Sequence, residues 1–390
     1  MTAGSWMQET LRLRGWVLDF LAGVAAGEVT APTGVWRLFI RSERCALPLK
    51  ARLVASGVYP RLDPDARMEL DTAARQELQR VLSARAHLRL IDRLAAQHRW
   101  DVVVLKGGAA CLADADALDL ADLDVLARPE EARALAAALD EAGYRDAGPS
   151  SPLHLEGRMV GGGLKIEVHT SIDLAGSEWG ASAWSAIEPC DGAARLKLLS
   201  PRDHLWHLLV HVGVLHPYRR GAIRDSLLTA QALRRCSEGD LAEVDAQLIS
   251  HPHGEVLQDL LDTARGLAGA CPFRERFAYQ AAVAYFVSRH GRRLPLPELL
   301  RADVGKWAVA FLSGWADMRR EWGRVRMVTT GRSLFRPIAR IEEQVPWLGR
   351  VVRVTMRVAR VGIGAAMGAP LAVGAAYAAH RATRRSARTG

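Results

Sequence analysis

Residues 101–126 run DVVVLKGGAACLADADALDLADLDVL. Val102-Val103-Val104-Leu105 is a short β-branched run and reads as a buried strand that stops at Lys106-Gly107-Gly108. Ala109-Ala110-Cys111-Leu112 follows as a short helix. Asp122-Leu123-Asp124-Val125-Leu126 is a second strand, alternating at its start and apolar at its end. Residues i and i+2 of a strand share a face, so Asp122 and Asp124 project together. Two such carboxylates repel and raise each other's pKa unless a cation sits between them. Hard oxygen donors of this kind suit Mg²⁺, which binds through one or two carboxylates plus substrate phosphates.

Reading downstream, Pro129-Glu130-Glu131 opens a helix with proline and acids in its first turn, Ala132, Leu135, Leu139 and Ala142 mark its inner face, and Gly143 closes it. Leu164-Lys165-Ile166-Glu167-Val168-His169 alternates as a further strand, and Ala194–Leu199 as another. In the first of these, Ile166 and Val168 face the core, so Glu167 shares the other face with Lys165 and His169. Three carboxylates on adjacent strands can hold two metals for in-line displacement at phosphorus. The Gly-Gly turn would offer backbone N–H groups at a helix start, where a triphosphate can rest. Ser200-Pro201-Arg202-Asp203 is a capped helix start, with Leu205, Leu208, Leu209 and Val212 inward. Upstream, residues 1–98 read as helices; between Pro64 and Arg99 an apolar face runs through Leu78, Val81, Leu82, Leu88, Ile91, Leu94 and Ala95. The organisation predicted is a helical segment over 1–98, an α/β core over 99–200, a helical domain over 201–317 and an Arg-rich helical tail over 318–390.

Leu105-Lys106-Gly107-Gly108, the Asp122-Leu123-Asp124 strand, the helix ending Ala142-Gly143-Tyr144 and Ile166-Glu167-Val168-His169 together resemble the bacterial uncharacterised nucleotidyltransferase family. That family belongs to the DNA-polymerase-β-like nucleotidyltransferase superfamily. The resemblance spans about residues 100–230. It implies an α/β (α+β) core with a short mixed sheet, flanked by extensive all-α segments. By position, Gly107 and Gly108, with Lys106 beside them, would contact nucleotide phosphates. Asp122, Asp124 and Glu167 would be the catalytic metal ligands, Glu167 also helping to activate an acceptor hydroxyl. His169, His211 and the pair Arg224-Asp225 fall on the acceptor side. The implied cofactor is Mg²⁺ or Mn²⁺, and the implied substrate an NTP, ATP foremost, with an unidentified acceptor. The chain departs from the family at Ala117-Leu118-Asp119-Leu120, where relatives carry an arginine. Asp119 is expected to make the site more acidic and to weaken its hold on triphosphate.

The chain has 52 basic and 43 acidic residues, a net charge of +9, and only five of the basic residues are lysines. The excess is local. From Met318 onward there are 15 Arg against three Glu, or +12, which leaves 37 basic and 40 acidic residues, or −3, for the first 317. A basic pI is therefore poor evidence that the body binds nucleic acid. Arg350, Arg353, Arg357 and Arg360 recur at helical spacing before an uncharged stretch over 361–379. Twelve of those 19 residues are Ala or Gly, so the apolar drive is weak, and two readings stay open: a soluble helix pair with a solvated Arg face, and contact between residues 345–390 and an anionic membrane surface. Five scattered cysteines without a CxxC pair point to a reducing, cytoplasmic setting, with membrane association through the tail. Asp19 interrupts the first apolar stretch, so no secretory signal is read there. His204, His207 and His211 fall on one helical face and are read as packed histidines in preference to a metal cluster. A nucleotide-binding relative without activity, or a membrane-peripheral assembly factor, would share these features.

Overall fold

The computed structural model describes residues 3–24, 29–113, 118–120, 122–146, 155–161, 163–172, 184, 186–215, 220–251 and 253–269. The Arg-rich tail, its uncharged stretch over 361–379 and the end of the predicted helical domain lie outside the described residues. The chain divides into two units, and the larger (13–214 and 222–275) contains the whole sheet. The other takes 1–12, 215–221 and 276–390, of which 3–12, 215 and 220–221 are described.

Four helices come first: α1 (Ala3–Leu21), α2 (Thr33–Glu43), α3 (Ala46–Ala55) and α4 (Pro64–His98). α4 begins where its sequence dictates. The Asp63 carboxylate accepts from the amides of Asp65 (2.9 Å) and Ala66 (3.3 Å), and Pro64 fills the first turn. It stops at Arg99, which takes the left-handed conformation. Its buried stripe runs Ala74, Glu77, Val81, Ala84, Leu88, Ile91 and Ala95, a strict three–four alternation. Leu78 and Leu82 are each one residue, about 100°, off that stripe. They are exposed, which corrects the apolar face read from sequence.

The α/β part follows as β1 (Val102–Val104), α5 (Lys106–Ala113), β2 (Asp122–Leu126), α6 (Pro129–Glu141), β3 (Arg145–Asp146), β4 (Leu155–Gly161), β5 (Leu164–His169), β6 (Ile187–Pro189) and β7 (Leu196–Leu199). The seven strands form one mixed sheet in the order β3-β4-β5-β2-β1-β7-β6. β2 pairs parallel with β5 and β1 parallel with β7, while β1 and β2 are antiparallel. β3, β4 and β6 were not legible in sequence. β4 is broken by glycines and an irregular register, and β6 is an edge strand ending in Pro189, which an edge tolerates. β7 starts at Leu196, two residues later than read. Asp92 of α4 takes the amides of Ala194, Arg195 and Leu196 at 2.7–3.0 Å before the ladder begins.

One sheet face makes the core. Val102, Val104, Leu123, Val125, Ile166 and Val168 pack with Val81, Leu88 and Ile91 of α4 and Ala132, Leu135 and Leu139 of α6. Ala142, read as part of that inner face, lies past the end of α6 and is exposed. The opposite face carries Asp122, Asp124, Lys165, Glu167 and His169, and beside them a small apolar cluster of Val103, Leu105, Leu126 and Leu199. Helix α7 (Pro201–Val210), capped by Ser200 as its sequence requires, continues into a π turn over His211–Leu215. α8 (Ile223–Arg235), α9 (Glu238–Ser250) and α10 (Gly254–Leu267) complete the described helices. Among the described residues no helix is long and apolar enough to cross a membrane.

Candidate active site

The parallel register of β2 and β5 sets Asp122 opposite Lys165 and Asp124 opposite Glu167. Strand alternation then aims both pairs, with His169, to the same side. Asp124 is the most enclosed. Its Oδ1 accepts from Lys106 Nζ at 3.0 Å and from His169 Nε2 at 2.9 Å. Burial works to raise its pKa, but the Lys106 ammonium and the His169 bond outweigh it and hold the group well below the usual carboxylate range. Lys165 Nζ bridges Glu167 Oε1 at 2.6 Å and Asp122 Oδ2 at 3.1 Å. The repulsion expected between the aspartates is thus answered by two built-in ammonium groups. One donor atom each from Asp124, Glu167 and His169 lies within 4.8 Å of the others. Two carboxylates and an imidazole at that spacing are a workable divalent-cation set. Asp122 is a rim group, one third exposed and turned to Lys165.

The turn after β1 has a different character from its sequence reading. Lys106 sits at φ +49°, a conformation uncommon for a residue with a side chain. That bend directs its ammonium back over β2. The Gly108 amide donates to the Leu105 carbonyl at 3.1 Å. A Cβ on Gly108 would come within 2.6 Å of Leu123 Cδ1 and 2.8 Å of Val104 Cγ1. The glycine is required by close packing of α5 on the sheet. Gly107 faces the other way, and its Cβ position lies 3.2 Å from Arg224 Nη2.

Arg224 therefore stands over the turn. Its Nη1 donates to Asp225 Oδ1 at 3.1 Å, and its Nε to the backbone carbonyl of Asp119. Asp119 itself is fully buried and tied by 2.5 Å bonds to Arg44, the cap of α2, and to Arg80 of α4. The expected rise in site acidity does not occur, because two arginines from distant segments neutralise it. The start of α8 is anchored by Glu43, which accepts from the Ile223 amide at 2.7 Å.

His204, His207 and His211 are buried on and just after α7, as packed histidines should be. His204 is pushed down to about 4 by burial, with the charge of Arg235 adding to it. His207 is held well below its ordinary value, first by burial and then by Lys106. Among the described residues, neither ring nitrogen of His207 has a hydrogen-bond partner. The charges of Asp124 and His169 also act on its ring. Sequence reasoning named neither Lys165 nor His207 as a site residue. Alternation with Glu167 places Lys165 on the site face, whereas the charges that act on His207 come from residues distant in the chain.

A family model, described as uncharacterised nucleotidyltransferase, matches residues 36–269. The chain belongs to the uncharacterised nucleotidyltransferase family. The match runs from within α2 to the end of α10, beyond the 100–230 stretch of the resemblance. Neither the curated proteins nor the solved structures contain a match.

Proposed function

We propose that this chain moves a nucleotidyl group from an NTP, ATP foremost, to a hydroxyl acceptor and releases pyrophosphate, using Mg²⁺ or Mn²⁺. The observation that carries this reading is the convergence of Asp124, Glu167 and His169 within 4.8 Å, in a chain of the nucleotidyltransferase family. A divalent cation in that set would neutralise phosphate charge and acidify the acceptor oxygen. The remaining work falls to side chains. Arg224 brings a fixed guanidinium to the Gly107 turn, where the phosphates would lie, and its planar fork suits phosphate oxygens. Lys106 holds Asp124 ionised. The acceptor oxygen attacks the α-phosphorus, the bond to the bridging oxygen breaks, pyrophosphate departs, and the hydroxyl proton passes to the Glu167 carboxylate.

The test is transfer of α-labelled ATP, with pyrophosphate counted, in the presence of Mg²⁺ or Mn²⁺ and cell-extract metabolites as acceptors. Wild-type protein should release pyrophosphate and retain label on an acceptor. Asp124→Asn should lose at least about a hundredfold, the scale on which removing one charged catalytic contact is felt. Nucleotide bound without pyrophosphate release in either metal would leave a binding module in its place.

A further inference from the structure

We propose that Arg44 is a positioning residue: acting through Asp119, it fixes the Arg224 guanidinium over the Gly107 turn, where the pyrophosphate portion of an NTP would rest. The inference deepens the nucleotidyl-transfer reading and rests on its placing of the phosphates. Arg224 is held from both ends. Its Nε donates to the Asp119 carbonyl, its Nη1 donates to Asp225 Oδ1 at 3.1 Å, and the backbone just before it is pinned where the Ile223 amide donates to Glu43 at 2.7 Å. Nη2 then lies 3.2 Å from the position that a Gly107 Cβ would take. The first and last of these contacts lead back to one corner of the chain. Glu43 ends α2, Arg44 caps it, and Arg44 Nε donates to Asp119 Oδ2 at 2.5 Å. Two consecutive side chains thus hold the backbone entry and the side-chain anchor of Arg224.

The corner comes at a conformational cost. Arg44 sits at φ 52° and ψ 46°, the left-handed region that favours glycine. Such a conformation persists where the surrounding contacts over-determine it. Here the Arg44 amide donates to the Ile40 carbonyl at 3.0 Å, and its guanidinium reaches Asp119, 75 residues on. Asp119 is fully buried, so its carboxylate needs a cation, and Arg80 of α4 already supplies one at 2.5 Å. Charge balance therefore asks for only one of the two arginines. The second adds direction. With Oδ1 held by Arg80 and Oδ2 by Arg44, the orientation of Asp119 is set, and its carbonyl stays aimed at Arg224. An arginine whose torsions are set beforehand gives up less freedom on meeting phosphate, and its planar fork is already aligned.

Full-length protein should be titrated with pyrophosphate in the presence of Mg²⁺ and followed by calorimetry. Arg44→Gly removes the guanidinium and eases the left-handed corner, while Arg80 remains to balance Asp119. This variant should bind pyrophosphate about tenfold more weakly than wild type. Arg224→Met, which keeps the length and removes the charge, should lose about tenfold or more. The double variant should lose no more than Arg224→Met alone, because Arg44 acts only through Arg224. Arg37→Ala breaks a different tie between α2 and α4, the pair with Glu69, and should leave binding unchanged. Far-UV circular dichroism checks folding. If the glycine variant fails to fold, Arg44→Lys repeats the experiment with an expected loss of about threefold, since lysine keeps the charge without the planar fork. Wild-type affinity in the Arg44 variant, additive losses in the double variant, an equal loss in Arg37→Ala, or no binding by wild-type protein would overturn the inference. Coupled Arg44 and Arg224 effects on pyrophosphate with no label transfer would remove the transfer reading and leave the positioning role standing. Label transfer with an Arg44 variant that binds normally would do the reverse.

Discussion

Asp119 and Asp124 are both buried aspartates, and their partners give them different work. Asp119 is a tie. It joins Arg44 and Arg80 through its carboxylate and Arg224 through its carbonyl, linking α2, α4 and α8. Asp119→Ala would strand two arginines that keep some contact with water. The expected cost is about 2–3 kcal/mol, below that of breaking a wholly buried pair. Urea unfolding measures it, and a change under about 0.5 kcal/mol would mean the tie is not structural. Asp124 holds charge at the site instead. On sequence alone, removing one of two like-charged neighbours should relieve strain. In the folded chain the reverse holds, since losing Asp124 leaves Lys106 without its carboxylate. Because the folded pKa of Asp124 is depressed, its contribution to stability is present above the unfolded value of about 3.9 and is lost as pH falls through the folded value.

At the scale of elements, α5 and α7 position the site from either side. α5 can approach the sheet only because Gly108 has no side chain. Alanine there gains some helix propensity, about 0.5–1 kcal/mol. That gain is outweighed by overpacking against Leu123 and Val104, so Gly108→Ala should destabilise by about 1–3 kcal/mol. A thermal melt of that variant at or above the wild-type midpoint would contradict the packing assignment. α7 carries His204 and His207, both with lowered pKa values from burial first. Unfolded histidine takes up a proton near pH 6.5, so below that point the unfolded chain binds more protons and the fold loses stability. Glu77 runs the other way. Burial lifts it to about 7 although it accepts the Ala46 and Leu47 amides at the start of α3, so it weakens the fold as pH rises from about 4.5 to 7. The difference between proteins isolates the histidines: the double variant His204→Gln, His207→Gln should lose less stability than wild type between pH 7.5 and 5.5. Equal losses, read from urea midpoints at the two pH values, would show that these rings do not titrate on unfolding.

For the whole molecule, charge is divided along the chain: +12 after Asp317 and −3 before it. Any binding to anionic vesicles is therefore predicted to come from the tail and to weaken as salt rises. The Debye length is about 8 Å at physiological ionic strength, and each arginine near the surface contributes about 1 kcal/mol. Flotation of full-length protein with phosphatidylserine vesicles at low salt, against protein ending at residue 344, tests this. Loss of flotation on truncation is the expected outcome. Full-length protein that stays with the soluble fraction would favour a helix pair away from the membrane.

Local pattern was enough for the parts of this protein that depend on near neighbours in the chain. Alternation located β2 and β5 and put Asp122, Asp124, Lys165, Glu167 and His169 on common faces, because side-chain direction in a strand depends only on parity. Capping chemistry located the start of α7. The family followed from these motifs and their spacing. Tertiary structure alone decided the electrostatics, since charge pairing depends on distance through space. The sequence separations are 75 residues for Arg44–Asp119 and 45 for His169–Asp124. It also decided the short strands β3, β4 and β6, whose pairing comes from neighbours in the sheet instead of their own weak patterns. Packing likewise gave Gly108 its role against Leu123 and Val104, a contact that no reading of a Gly-Gly turn contains.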